Sequence, residues 1–169
     1  MSGAHAEGTS GAGALGADAP GADALQAALE SRIRTSFDKQ AFLQLLGASL
    51  GSVAPGRVEI TLPFRNELVQ QHGFLHAGVG ASVTDSACGY AALTLMPDDA
   101  AVLSIEFKVN LLAPAKGARF IARGEVVRQG RNVSVVRGTF SAIAADGAET
   151  QLLELLGTMM TVQGRGLAD

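Results

Sequence analysis

A chain of 169 residues, 47% hydrophobic and 17% charged, has room for one domain around one core and not for two catalytic domains. Its formal net charge of -3 lacks the basic field that nucleic acid requires, so no nucleic-acid partner is expected. The single cysteine, Cys88, excludes an internal disulfide, and no Cys and His cluster has metal-ligand spacing; the expectation is a reducing, cytoplasmic setting and a site without metal or other cofactor.

Residues 1–20 are rich in Gly and Ala, contain no Lys or Arg and have no apolar core segment, so they fit neither a secretory nor a transit signal. They read as a flexible tail, which sets the expected organisation as tail 1–23, folded domain 24–164 and C-terminal tail 165–169. Leu25, Leu29 and Ile33 recur at helical spacing and open the folded part. Asp38 is placed to cap a second short helix ending at Leu46, with Gly47 at its stop. Residues 48–53 and 57–62 then read as a hairpin around Ala54, Pro55 and Gly56, because Val58, Ile60 and Leu62 alternate with Glu59 and Thr61.

After a polar, irregular stretch at 63–75, residues 76–96 read as one long helix of mainly small residues. The strongest apolar run, 79–96, is interrupted by Asp85 and by several Gly and Ser, so no bilayer span and no membrane contact are expected, and the protein reads as soluble. Four strands follow, at 102–112, 118–128, 132–144 and 149–162, separated by short turns. Gly78, Gly80 and Gly89 each cost about 0.8 to 1 kcal/mol of helix propensity. Close approach of sheet backbone to the helix would offset that cost. The order is therefore α+β: two strands, a long helix, then four strands in antiparallel succession, with a curved sheet of five or six strands wrapped around the helix and short helices in front.

The long helix contains one carboxylate, Asp85, and no Lys or Arg. Its neighbours one turn away, Ala81, Ser82, Cys88 and Gly89, are small, so the charge needs a hydrogen bond, a partner or a pocket. The residues alone leave open whether Asp85 bonds a backbone group, lies on a solvated face or carries chemistry. Immediately before the helix stand Gln70, Gln71, His72, Gly73, Phe74, Leu75, His76, Ala77 and Gly78. The free amides of a helix start favour anions, which makes this segment a candidate oxyanion hole; capping and turn geometry are the alternatives for His72, His76, Gly73 and Gly78. Cys88, Tyr90 and the Met159–Met160 pair read as packing residues.

The stretch QHGFLHAGVGASVTDSACGYAA at 71–92, with LSIEFKVNLLAPA at 103–115, resembles the phenylacetic-acid-degradation (PaaI-like) hotdog thioesterases, relatives of 4-hydroxybenzoyl-CoA thioesterase. In that family a carboxylate follows a His-Gly-Gly motif by nine positions, as Asp85 follows His76, and the likeness spans about 47–162. The resemblance implies a hotdog fold and hydrolysis of a medium-chain or aromatic acyl-CoA. It makes Asp85 the base or nucleophile, the Ala77 amide beside His76 the oxyanion donor, Gln70 or the adjacent Gln71 the carbonyl-binding residue, and Ser104 the group that orients the carboxylate or water. This chain departs from the family in having Ala77 for the first Gly and Gln for Asn.

Nine helical residues span about 13.5 Å and turn Asp85 to the side opposite His76, so one chain cannot bring both groups to one carbonyl. The expected partners are therefore an acyl-CoA and further copies of the same chain, as a homodimer or a dimer of dimers. For the phosphates of CoA, Lys108, Arg128, Arg131 and Asn132 are the candidates, with solvated strand ends as the alternative. Two other functions remain: an acyl-CoA-binding hotdog module without turnover, and a hotdog hydratase or dehydratase using His72 or His76.

Overall fold

The computed structural model describes residues 21–167. Helices α1 (Ala22–Phe37) and α2 (Ala41–Leu46) lead into the hairpin β1 (Ser49–Ala54) and β2 (Arg57–Pro63). Helix α3 (Ala77–Leu93) follows, then β3 (Ala101–Leu111), β4 (Arg119–Gln129), β5 (Val133–Ile143) and β6 (Glu149–Val162). The six strands form one sheet in the order β1-β2-β4-β5-β6-β3, with every neighbouring pair antiparallel. α3 lies on the concave face against β2, β3, β4, β5 and β6, and it carries the chain from the β2 end of the sheet to the far edge, where β3 pairs with β6. The α+β order and the central helix agree with the sequence expectation.

The buried face of the sheet follows the alternation in the sequence. Phe120, Ala122 and Gly124 of β4 point inward, and Phe120 stacks on Phe140 of β5 with ring centroids 5.4 Å apart. Sheet and helix meet most tightly at Gly124 and Gly138, which face each other as register partners in β4 and β5. A methyl group on Gly124 would run into the backbone of Ala87 and Cys88, and one on Gly138 into Thr84 and the Cys88 sulfur. The close approach expected from the helix glycines is thus made mainly by strand glycines. Of the three helix positions, Gly80 packs tightly, against the Phe140 ring, whereas Gly78 lies on the exposed first turn and Gly89 borders a hollow.

Several sequence expectations shift. The tail at 1–20 and residues 168–169 lie outside the described residues, and α1 already begins at Ala22. Asp38 does not cap α2. It closes α1 instead, its amide donating to the Arg34 carbonyl, because the last turn of α1 runs on to that point and leaves Gln40 at the start of α2. Gly47 does stop α2, at φ 75° in the left-handed region. α3 ends at Leu93 and not at Met96, since the amides of Leu95 and Met96 bond three residues back and wind the helix out ahead of Pro97. Met159 is core, but Met160 points to the convex face and is 41% exposed, as strand alternation requires. Among the described residues, no helix is long and apolar enough to cross a membrane.

Candidate active site

The segment before α3 folds back on itself. Val69 and Leu75 form an antiparallel bridge, and the turn between them closes through Gly73, whose φ of 81° suits glycine. The Gln70 amide donates to Phe74, the Gly73 amide to Gln70 and the His76 amide to Leu68 (2.8 Å). Leu75 donates to Ala115 at 3.0 Å, which ties the turn to the loop after β3. The side-chain oxygen of Gln70 accepts from the His72 amide, leaving its Nε2 donor without a partner among the described residues.

A helix start has four amides that the helix cannot satisfy. At α3, His76 donates to Leu68, Gly78 donates to Nδ1 of His76 at 2.9 Å, and Val79 donates to the His76 carbonyl at 3.0 Å. The remaining amide, that of Ala77, has no acceptor among the described residues. Because Nδ1 of His76 accepts, the ring proton of neutral His76 sits on Nε2. Gln70, His76 and Ala77 all border a hollow of about 490 Å³, whose other walls are the apolar Phe74, Leu111, Leu112, Phe140 and Leu153.

Asp85 borders a different, smaller hollow of about 100 Å³ with Gln40, Ser86, Gly89, Tyr90, Val102 and Ser104. Ser104 Oγ donates to Asp85 Oδ1 at 2.8 Å, and Oδ2 has no hydrogen-bond partner among the described residues. Burial holds the Asp85 carboxyl above the usual carboxylate range, and the Ser104 hydrogen bond partly offsets it. Burial, together with the Asp85 charge, pushes the Cys88 thiol up to about 12, so it stays protonated at neutral pH and serves as packing.

The predicted residues thus fall into separate groups. Gln70, His76 and Ala77 meet at one hollow, and Asp85 and Ser104 at the other. Gln71, His72 and Gly73 lie on the exposed outer side of the turn and do not line either hollow; of the two candidate glutamines, the structure brings Gln70 to the site. Gly78 lies exposed on the first turn of α3, with its amide held by His76. Lys108 is exposed in edge strand β3, and Arg128, Arg131 and Asn132 are exposed around the β4–β5 turn. That turn adjoins the C-terminal end of α3, where Gln129 Nε2 donates to the Leu95 carbonyl at 2.6 Å. It is separated from Ala77 of the same chain by about 25 Å, the length of the helix. Among the described residues Arg128 and Arg131 have no carboxylate partner.

Sequence reasoning missed Gln40 and the wall formed by 111–115, Phe140 and 152–153. The sequence also suggests pocket walls from the loop at 64–75 and the helix end at 93–96 of facing subunits; within one chain the loop supplies Gln70, Phe74 and Leu75 to the large hollow, whereas Leu93 and Met96 are buried in the core. Gly89 carried a usable signal, since it stands one helical turn beyond Asp85 on the same face.

Comparison with known proteins matches these elements to one family. The Thioesterase superfamily profile matches residues 72–143, which include the end of the turn, α3 and β3 to β5. A proposed esterase of Halobacterium salinarum is 32% identical over 108 residues, covering 61% of this chain and 71% of that protein. A proposed esterase of Saccharolobus solfataricus is 33% identical over 104 residues, covering 62% and 72%. The crystal structure of a thioesterase family protein from Silicibacter pomeroyi shares 47% identity at a TM-score of 0.78, covering 80% of this chain and 99% of that one. The PaaI protein of the E. coli phenylacetic acid degradation operon shares the fold at 18% identity, with a TM-score of 0.73 and coverage of 83% and 97%. With a matching profile over the turn and helix, and relatives above 30% identity matched over more than two thirds of their length, the chain belongs to the thioesterase superfamily.

Proposed function

We propose that the chain hydrolyses the thioester of a medium-chain or aromatic acyl-CoA, at a site built from two subunits. The observation that carries this reading is the division of the α3 machinery. The unpartnered Ala77 amide and the Gln70 donor border one hollow, while the Asp85–Ser104 pair borders another, eight residues or about 12 Å further along the axis. A thioester carbonyl is too small to touch both within one chain. Two copies of α3 side by side in opposite directions would bring the donors of one to the carboxylate of the other, giving two equivalent sites about a two-fold axis.

The β3 edge supports such pairing. It is an eleven-residue strand with no neighbouring strand on its outer side among the described residues, and Leu103, Ile105, Phe107 and Leu111 are all exposed along it. A long apolar edge of this kind favours strand-to-strand pairing with a second copy. In the proposed site the Ala77 amide and Gln70 Nε2 stabilise the carbonyl oxygen as it becomes negative, and the ionised Asp85 attacks or activates water. The large hollow receives the apolar acyl group. Lys108, Arg128, Arg131 and Asn132 are offered to the CoA phosphates. Acyl-CoA is a cytoplasmic metabolite, and the enzyme is taken to act there. The dehydratase alternative gains no support, since His72 is exposed and, among the described residues, no carboxylate lines the hollow that His76 borders.

The test is CoA release, followed with a thiol-reactive dye over a panel of acyl-CoAs, for wild type and Asp85→Ala. Turnover on at least one ester, lowered about 100-fold or more in the variant, is the expected outcome. Undiminished turnover in Asp85→Ala contradicts the mechanism, and ester binding with no turnover in wild type would instead support a binding module.

A further inference from the structure

The hollow that holds Asp85 has one wall from outside the sheet and α3. Gln40, between α1 and α2, borders it beside Asp85 and Ser104. The backbone there is fixed, with the Gln40 amide donating to the Phe37 carbonyl at 3.0 Å and its carbonyl accepting from Gln44 at 3.2 Å. Gln40 stands at the N-cap of α2, yet its side chain makes no cap hydrogen bond, and its carboxamide has no hydrogen-bond partner among the described residues.

The end of α1 is also locked to the elements that carry Asp85 and Ser104. Phe37 packs on Tyr90 with ring centroids 6.0 Å apart. The Arg32 guanidinium donates to the carbonyls of Met96 at 3.0 Å and Pro97 at 2.7 Å, and more weakly to those of Leu93 and Ala100. These contacts bind α1 to the connection between α3 and β3. Gly89 adds no side chain to the hollow, whose roughly 100 Å³ leaves room for water.

We propose that Gln40 is a further catalytic residue that binds the attacking water; this rests on the thioesterase reading above. Ser104 occupies Asp85 Oδ1, so Oδ2 is the oxygen that receives a proton. The water donates one hydrogen to Oδ2 and the other to the Gln40 carboxamide oxygen, and its oxygen lone pair attacks the thioester carbon. A C–O bond forms, the C–S bond breaks with its electron pair leaving on the CoA sulfur, and the proton held by Asp85 passes to that sulfur. The products are the carboxylic acid and the CoA thiol, with the Asp85 carboxylate restored.

Among the described residues, no Lys, Arg, His, Asp or Glu other than Asp85 borders this hollow; its other titratable neighbours there are Tyr90 and, behind Asp85 on α3, Cys88. A carboxylate introduced at position 40 therefore acts on Asp85 with no competing charge from the other described residues of the hollow. The experiment measures kcat, KM and melting temperature for full-length wild type, Gln40→Ala and Gln40→Glu across pH, on the acyl-CoA that wild type turns over fastest. Gln40→Ala should lose at least about tenfold in kcat with KM nearly unchanged and the melting temperature retained. Gln40→Glu should move the acid limb of the kcat profile to higher pH, because a second carboxylate disfavours ionisation of Asp85. Wild-type kcat in Gln40→Ala, a loss confined to KM, or an unmoved acid limb in Gln40→Glu each overturns the inference alone. Absence of turnover in wild type overturns the thioesterase reading and the inference together.

Discussion

Ser104 bonds one oxygen of Asp85 while burial opposes the charge on the same carboxyl, so the two effects act in opposite directions on its ionisation. In the proposed mechanism the working form is the carboxylate, so activity is predicted to fall as pH drops through its pKa. In Ser104→Ala the bond that lowers this pKa is gone, so the acid limb should move to higher pH. A lost hydrogen bond to a charged group, worth about 1.5 kcal/mol, should also reduce kcat/KM roughly tenfold near the optimum. A pH–rate series on both proteins checks this. Ala77 offers a cleaner cut, because it is the first residue of α3 and proline is well tolerated there. His76 before it already has φ -63° and ψ 133°, the extended conformation that a residue preceding proline prefers. Ala77→Pro should therefore fold and keep its melting temperature while losing about 10²- to 10³-fold in kcat, as removal of an oxyanion donor does. At this scale the sequence was informative where the relation is local. The spacing from His76 to Asp85 lies along one helix and needs no tertiary knowledge. Gln40 was invisible, because only the packing of α1 on α3 brings it to the hollow that Asp85 borders.

At the scale of elements, the position of α3 is set by the sheet pressing on it. The Gly124–Gly138 pair lets the β4 and β5 backbones reach Ala87, Cys88 and Thr84. Gly124→Ala would drive a methyl group into helix backbone, which cannot rotate away, and should cost about 1 to 3 kcal/mol or more of stability. Urea denaturation with an unchanged m value would measure it. Element order, the alternation of β2 and the stop of α2 at Gly47 were legible because each follows from a local pattern. Two features misled. Small residues in the helix pointed to close packing, but residue type alone does not say which partner, helix or strand, gives way. Asp38 has the right chemistry for a cap, yet the last turn of α1 ran through it.

At the scale of the whole molecule, a single chain carries two incomplete halves of the proposed site and an apolar strand edge along β3. Edge and halves fit together if β3 pairs with its copy and the two α3 helices run side by side. The proposal of two subunits starts from the sequence, as a matter of helix length and rotation. Which surface would pair was not legible there, because the edge position of β3 is a property of the strand order and not of the strand. The most direct measurement of the composite site combines two inactive variants, Ala77→Pro and Asp85→Ala, co-expressed as one mixed population. Each heterodimer would hold one site with an intact Ala77 amide from one chain and an intact Asp85 from the other. CoA release should then recover to about a quarter of wild type under random pairing, although either variant alone is nearly inactive. A mixed population no more active than its two components would contradict the shared site.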